Sequence, residues 1–336
     1  MSRALDKETA ASLSAGSPLE AYLAISNALL LPDEGLLEIE ILGQSQFPEE
    51  SQYALQDGQA VGISKLALVQ AFLVARKLLM DHIQGVEQRT DDELLAATAV
   101  ILLLDPEYLT AAHSRKRLIQ NQIPKCDDAG TRLKQEQRFL DSLLTSRLHR
   151  HTKSPTLWSH RRWLLTQFAS FDLLVDALED ITQVVFVAGE RHPRNYYAWC
   201  HARFLMSLDK GVNGSELLAA VRSWCFQHHT DISGWSFLYF LLDMENNPGA
   251  DAACSTFAEV LNLVSSLRLG NESVWVFLRT LAASGVIGDE QYKQLLSTQK
   301  AVLEGLSTPA DQRVLRSAID WSETCRRQNG TDLVGA

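Results

Sequence analysis

The chain has 336 residues, 46% of them hydrophobic, and a formal net charge of −10. That content can bury a large core and lies far from the disordered range, while the acidic balance argues against a general nucleic-acid or anionic-membrane binder. The five cysteines (Cys126, Cys200, Cys225, Cys254 and Cys325) form neither a CxxC pair nor a zinc motif, which suits a reducing compartment.

The first residues, MSRALDKETAAS, lack the apolar core of a signal peptide. The most apolar stretch, Leu94 to Leu104, is eleven residues long, too short to span a bilayer. The reading is a cytoplasmic protein. Residues 1–63 read as an N-terminal extension with little regular structure. Only Leu36 to Leu42 and a short piece at Gln59 to Ile63 carry strand signals.

From Ser64 onward the pattern is helical. Residues 64–83 have apolar positions at helical spacing after a serine start. Residues 90–104 open on a capping box, Thr90 with Glu93, and stop at Asp105-Pro106. Further helices are predicted at about 107–121, 131–150, 155–168, 173–191, 195–209, 215–228, 232–246, 251–268, 271–284, 289–306 and 309–327. Short polar turns between them imply antiparallel neighbours. The residues from 329 to 336 read as a disordered tail.

Four tryptophans mark a repeat: Trp158, Trp199, Trp235 and Trp275. Each falls a few residues into the second helix of a pair, and Ala112 holds the same place in an earlier copy. The unit is a helical hairpin, which cannot bury its apolar face alone but can in a stack. An indole can bury ~150–250 Å² and bridge the groove between hairpins. A residue three places on shares its helix face. That residue is Arg161 after Trp158 and Arg115 after Ala112. These tryptophans and Arg161 are therefore assigned to repeat packing. The predicted fold is all-α, a crescent-shaped solenoid of helical hairpins over residues 64–328.

One stretch stands out by charge. From Thr145 to Trp163 there are five Lys/Arg (Arg147, Arg150, Lys153, Arg161, Arg162) and no Asp or Glu. Ser154 reads as an N-cap and Pro155 as the first helical residue, which places Lys153 just outside a helix N-terminus. A helix N-terminus already favours an anion. His149, His151, His160, His192 and His201 read as packing or surface residues. His228 and His229, next to Asp231, read as a turn, and no metal site is expected in this chain.

The hairpins His192-Pro193-Arg194-Asn195-Tyr196-Tyr197-Ala198-Trp199 and Asn271-Glu272-Ser273-Val274-Trp275 resemble those of protein prenyltransferase alpha subunits. The likeness covers roughly Thr90 to Ser284. Residues 55–72, 90–119 and 153–165 extend it to an alpha-like branch of that family. The resemblance implies a right-handed alpha–alpha superhelix wrapped around a beta subunit. It assigns zinc and the isoprenoid pocket to that subunit, here the Rab geranylgeranyltransferase type. It implies geranylgeranyl diphosphate as co-substrate and a SNARE or Rab-like acceptor protein. It also implies that Lys153, five residues before Trp158, contacts the diphosphate as a catalytic residue. Arg194 has the same offset from Trp199 and, with Tyr196, is assigned to the isoprenoid diphosphate or the substrate peptide.

The chain departs from the family pattern in places. Pro155 stands where the family has a tyrosine, and Ala202, Leu238 and Leu278 occupy the arginine position three beyond the tryptophan. Arg203 and Arg279 lie one place further, about 100° around the helix. The alternative function is a non-catalytic, tetratricopeptide-like interaction scaffold, although spacings of 36 to 41 residues fit its period less well. A nucleic-acid-binding repeat would need a long basic face, and only the 145–163 patch is basic.

Overall fold

The computed structural model describes residues 17–30, 35–48, 52–123, 129–209, 211–244 and 249–332. It is mostly helical, with one three-stranded sheet. Two compact units divide it. The first takes the described residues up to Asp176 together with Gln183–Leu205; the second takes Ala177–Thr182 and Met206 onward.

The first unit opens with a helix that has no counterpart among the predicted elements. Helix Pro18–Leu29 starts at Ser17, whose side chain accepts from the Glu20 amide, with Pro18 in the first turn. Its buried residues include Ala21, Tyr22, Ile25, Ala28 and Leu29, one face of a helix. Burial first, then the Glu93 charge, pushes the Tyr22 phenol up to about 12. The strands are β1 (Glu38–Leu42), β2 (Ala54–Asp57) and β3 (Ala60–Ser64), in the order β1-β3-β2. β1 runs parallel to β3, with Glu38 opposite Ala60; β2 runs antiparallel, with Asp57 opposite Ala60. Gly58 and Gln59 form the two-residue turn of the hairpin, and Gly58 takes a positive φ of 57° that favours glycine. Ile39, Val61 and Ile63 are buried. The Leu37 amide donates to Ser142 Oγ at 2.9 Å and so fixes the sheet's leading end to helix Ala129–Leu144. β1 and β3 fall on the strand signals at Leu36–Leu42 and Gln59–Ile63, whereas helix Pro18–Leu29 and β2 lie where little regular structure was expected; their local cap and turn signals are backed by buried apolar faces.

The hairpins follow close to their expected limits. Helix Lys65–Ile83 is capped by Ser64, whose hydroxyl accepts from the Ala67 amide. Helix Asp91–Leu104 carries the predicted capping box: the Glu93 amide donates to Thr90 Oγ1 at 3.3 Å and the Thr90 amide to Glu93 Oε2 at 2.8 Å. It pairs with Leu109–Gln122. The next pair is Ala129–Leu144 with Pro155–Phe168, and helix Phe186–Arg191 precedes Tyr196–Leu208.

The helix expected over 131–150 is broken. Thr145 Oγ1 donates to the Asp141 carbonyl and Ser146 Oγ to the Leu143 carbonyl, both at 2.7 Å. These hydroxyls satisfy carbonyls of the last turn and let the chain leave the helix. A short turn of helix, His149–Thr152, follows.

The second unit repeats the hairpin as Gly214–Gln227 with Ile232–Asp243, then Gly249–Leu267 with Glu272–Ala283, then Asp289–Gly305 with Pro309–Asp332. The final helix includes residues 329–332, which were read as the start of a disordered tail; residues 333–336 lie outside the described residues. Among the described residues no helix is long and apolar enough to cross a membrane. Cys200, Cys225, Cys254 and Cys325 are free thiols; Cys126 lies outside the described residues.

Candidate functional site

All four marker tryptophans are buried, at 0–3% exposure. Three of them use the indole in one way. Trp158 Nε1 donates to the Thr152 carbonyl at 2.8 Å, Trp235 to His229 at 3.0 Å, and Trp275 to Leu269 at 2.8 Å. In each case the acceptor lies six residues upstream, in the turn that leads into the helix.

That carbonyl also joins one hairpin to the next. Asn195 Nδ2 donates to the Thr152 carbonyl at 2.7 Å, and Asn271 Nδ2 to the His229 carbonyl at 2.8 Å. Each asparagine lies four residues before its own tryptophan. At the degenerate copy Ser154 does the equivalent work: its hydroxyl lies 3.4 Å from the Pro106 carbonyl, six residues before Ala112, and also contacts Glu107. Asp231, in the same place before Trp235, caps its own helix by accepting from the Ser233 and Gly234 amides.

The rings repeat as well. His201, two residues past Trp199, packs on Trp158 with centroids 5.1 Å apart; Phe277, two past Trp275, packs on Trp235 at 5.1 Å. His160 holds that place relative to Ala112. It is completely buried and packs on Trp163 at 5.5 Å.

Arg161 serves packing, as expected, through a partner that the repeat pattern alone does not reveal. It is fully buried, and its Nε donates to Asp141 Oδ1 at 2.6 Å while Nη1 donates to His201 Nε2 at 2.7 Å. That bond requires His201 to be neutral, with its proton on Nδ1. Burial first, then Arg161 and Arg162, holds the His201 imidazole well below its usual pKa. Arg115 is the counterpart: Nε donates to Glu136 Oε1 at 2.8 Å, Nη1 to the Leu95 carbonyl at 2.6 Å, and its guanidinium lies 4.1 Å over the Phe139 ring. Burial pushes the Glu136 carboxyl up, and Arg115 pulls it back down.

The basic stretch from 145 to 163 is mostly neutralised. Arg147 pairs with Glu40 at 3.2 Å, Arg150 with Asp105 at 2.8 Å, and Arg161 with Asp141. Lys153 and Arg162 have no ion pair with a carboxylate among the described residues. Lys153 is exposed and ends the short His149–Thr152 turn, directly before the Ser154 N-cap of helix Pro155–Phe168. Ser154 Oγ accepts from the Leu157 amide at 3.1 Å.

The Asn195 bond to Thr152 brings the next turn alongside. Thr152 adjoins Lys153, and Asn195 lies between Arg194 and Tyr196. The His149 and His192 rings meet there at 5.2 Å. Burial first, then the Lys153 charge and His149, lowers the His192 pKa. Arg194 is exposed and takes a positive φ of 61°. Tyr196 is 68% exposed, begins its helix, and packs edge-on against Tyr197. The three residues singled out for the site therefore lie on adjoining, solvent-facing turns. The histidines divide: His151, His160 and His201 are buried, while His149 and His192 line the turn. His228 and His229 lie in a turn, as expected. The sequence reading missed Asn195, Asn271, Asp141 and Glu136. An asparagine four places before a repeat tryptophan was the available signal for the first two.

Among the described residues no group of three or more His, Cys, Asp or Glu is placed to hold a metal ion.

Comparison with known proteins agrees with this repeat geometry. Residues 139–168 match the protein prenyltransferase alpha subunit repeat, and residues 157–266 match the ECM9 middle domain. The chain is similar to protein prenyltransferase alpha subunit repeat-containing protein 1 of Homo sapiens, 32% identical over 172 residues, or 45% of this chain and 40% of that protein. It is similar to protein ECM9 of Saccharomyces cerevisiae, 28% identical over 167 residues, 48% of this chain and 43% of that one. It is also similar to the geranylgeranyl transferase type-2 subunit alpha of Candida albicans, 25% identical over 116 residues, 34% of this chain and 31% of that subunit. The chain thus spans less than half the length of the curated relatives it matches. The resemblance to protein prenyltransferase alpha subunits read from the sequence is found again in these comparisons.

Proposed function

We propose that this prenyltransferase-alpha-like chain is the alpha-type half of a heterodimeric protein geranylgeranyltransferase. It pairs with a Rab-type prenyltransferase beta subunit and serves transfer of geranylgeranyl to a cysteine near the C-terminus of a SNARE or Rab-like protein. The hairpins form a right-handed, crescent-shaped superhelix around that partner. The observation that carries the reading is the turn at Lys153. An exposed ammonium without an acidic partner sits beside the Thr152–Asn195 join, within residues 139–168 that match the alpha subunit repeat.

The chemistry follows from charge. Pyrophosphate leaving from geranylgeranyl diphosphate gathers negative charge in the transition state, and a cation already in place there lowers the barrier. Lys153 supplies it at the mouth of a helix N-terminus, whose dipole adds to the same field. Arg194 and Tyr196, on the adjoining turn, hold the diphosphate or the acceptor peptide. Zinc would be held by the partner, where it would favour the thiolate form of the acceptor cysteine.

A second reading, a non-catalytic interaction scaffold, is favoured by one specific feature. Pro155 removes the phenol that the family places in this turn, beside the edge-on His149–His192 pair.

Reconstitution separates the two. The chain is mixed with candidate beta subunits, labelled isoprenoid diphosphates and a cysteine-terminated acceptor. Transfer that needs both chains supports the enzyme reading; a stable complex that never transfers label supports the scaffold.

A further inference from the structure

The chain contains 41 acidic residues, yet three long helices contain none. They are Leu109–Gln122, Pro155–Phe168 and Tyr196–Leu208, the second helices of successive hairpins. Four residues past the repeat position (Ala112, Trp158, Trp199), each carries a cation: Lys116, Arg162 and Arg203. Five residues past it, the latter two carry a ring, Trp163 and Phe204.

The structure joins these positions across neighbouring hairpins. Lys116 Nζ lies 5.6 Å from the centre of the Trp163 ring, and the Arg162 guanidinium lies 4.5 Å from that of Phe204. Lys116 and Arg162 are thus each seated on a ring of the next hairpin. Arg162 is exposed, and Lys116, Arg203 and both rings are half-buried. Neither Lys116 nor Arg162 meets a carboxylate among the described residues, whereas Arg115 and Arg161, deeper in the same helices, are paired with Glu136 and Asp141. The buried charges of Arg115 and Arg161 are neutralised internally, and those of Lys116 and Arg162 meet no carboxylate among the described residues. Burial lowers the Lys116 pKa, a cost that a facing carboxylate would offset.

We infer that Lys116 and Arg162, with the rings they sit on, form a docking track for an extended, acidic protein segment. A guanidinium seated over a ring still offers its planar fork of N–H donors, which suits a bidentate carboxylate. Stacking also removes side-chain freedom before the partner arrives, so less entropy is lost on binding. Neighbouring helices lie ~8–10 Å apart. An extended chain covers about 10 Å in three residues. The matching pattern is therefore an acidic residue at every third position. A single narrow row in a chain of net charge −10 is a poor match for a nucleic acid, which calls for a broad basic face. The inference concerns the first unit alone and is independent of prenyl transfer.

The test uses the full chain and a fluorescein-labelled peptide with glutamate at every third position, followed by fluorescence anisotropy at low and moderate salt. Binding that weakens with salt, and weakens by roughly tenfold or more in the double variant Lys116→Glu/Arg162→Glu, supports the track. Arg162→Gln, at an exposed position, replaces the double variant if that one melts early, and a clear loss of affinity is again expected. No binding, or binding that ignores both variants, overturns it. Binding of heparin or of phosphatidylserine vesicles through the same residues, with the peptide left unbound, overturns it equally.

Discussion

Asn195 donates its side-chain amide to the Thr152 carbonyl at 2.7 Å, the same oxygen that receives the Trp158 indole N–H at 2.8 Å. One carbonyl thus closes its own hairpin and anchors the next. The second unit repeats the arrangement with Asn271, His229 and Trp235.

Removing the asparagine should therefore destabilise the first unit. Asn195→Ala loses the bond to Thr152 and the cap on the Ala198 amide, both in a buried place. The expected cost is about 1–3 kcal/mol. Asn195→Asp should cost at least as much, because a carboxylate cannot donate to a carbonyl. Urea melts of the two variants check this. A variant as stable as the parent would show that the join contributes nothing.

The Arg161–Asp141 pair should respond in an asymmetric way. Both side chains are buried, so Arg161→Met alone strands a carboxylate, at a cost of about 3–5 kcal/mol. The double variant Arg161→Met/Asp141→Leu should recover most of that loss. A double-mutant cycle by thermal melting measures the coupling.

How much of this was legible in the sequence depends on which atoms do the work. The tryptophans were legible because one rare, large residue recurs at hairpin spacing. Thr90 with Glu93 was legible because the two halves of the cap lie only three residues apart in the sequence. The Thr152 oxygen was not, since it is a backbone atom that any residue supplies. Glu136 and Asp141 lie 21 and 20 residues from the arginines they neutralise, with nothing local to link them. Helix Pro18–Leu29 carried a Ser-Pro start in its sequence, but its apolar face is set off by few polar neighbours and was passed over. Lys153, Arg194 and Tyr196 were singled out by resemblance. Their meeting on adjoining turns depends on Asn195, which no charge pattern marks.

Acid should destabilise the first unit before carboxylates titrate. Burial holds His151 down to about 4, from an ordinary 6.5, and lowers His160 and His201 well below it. His151 is neutral, donating from Nε2 to the Leu102 carbonyl at 3.0 Å. Below pH 6.5 the unfolded chain takes up protons that the folded chain refuses, so stability falls as pH falls toward 4. Each such histidine contributes about 1.4 kcal/mol per pH unit. Glu136 acts in the opposite sense, because burial raises its pKa. Denaturant melts at stepped pH should show this slope, and His151→Gln, which keeps an N–H donor, should flatten it. An unchanged slope would remove His151 from the account.

Lys153→Ala tests the catalytic assignment without disturbing the fold, since the residue is exposed and makes no ion pair among the described residues. Transfer by the reconstituted pair should slow while the complex stays intact. Unchanged turnover would reduce Lys153 to a solvated residue.

The central claim is that this chain is one half of a pair. Size-exclusion chromatography with light scattering, on the full chain mixed with a Rab-type prenyltransferase beta subunit, addresses it directly. The account predicts a stable one-to-one complex of the obligate class, burying upward of ~2,000 Å². Two separate peaks at micromolar concentration, with every candidate beta subunit, would contradict it.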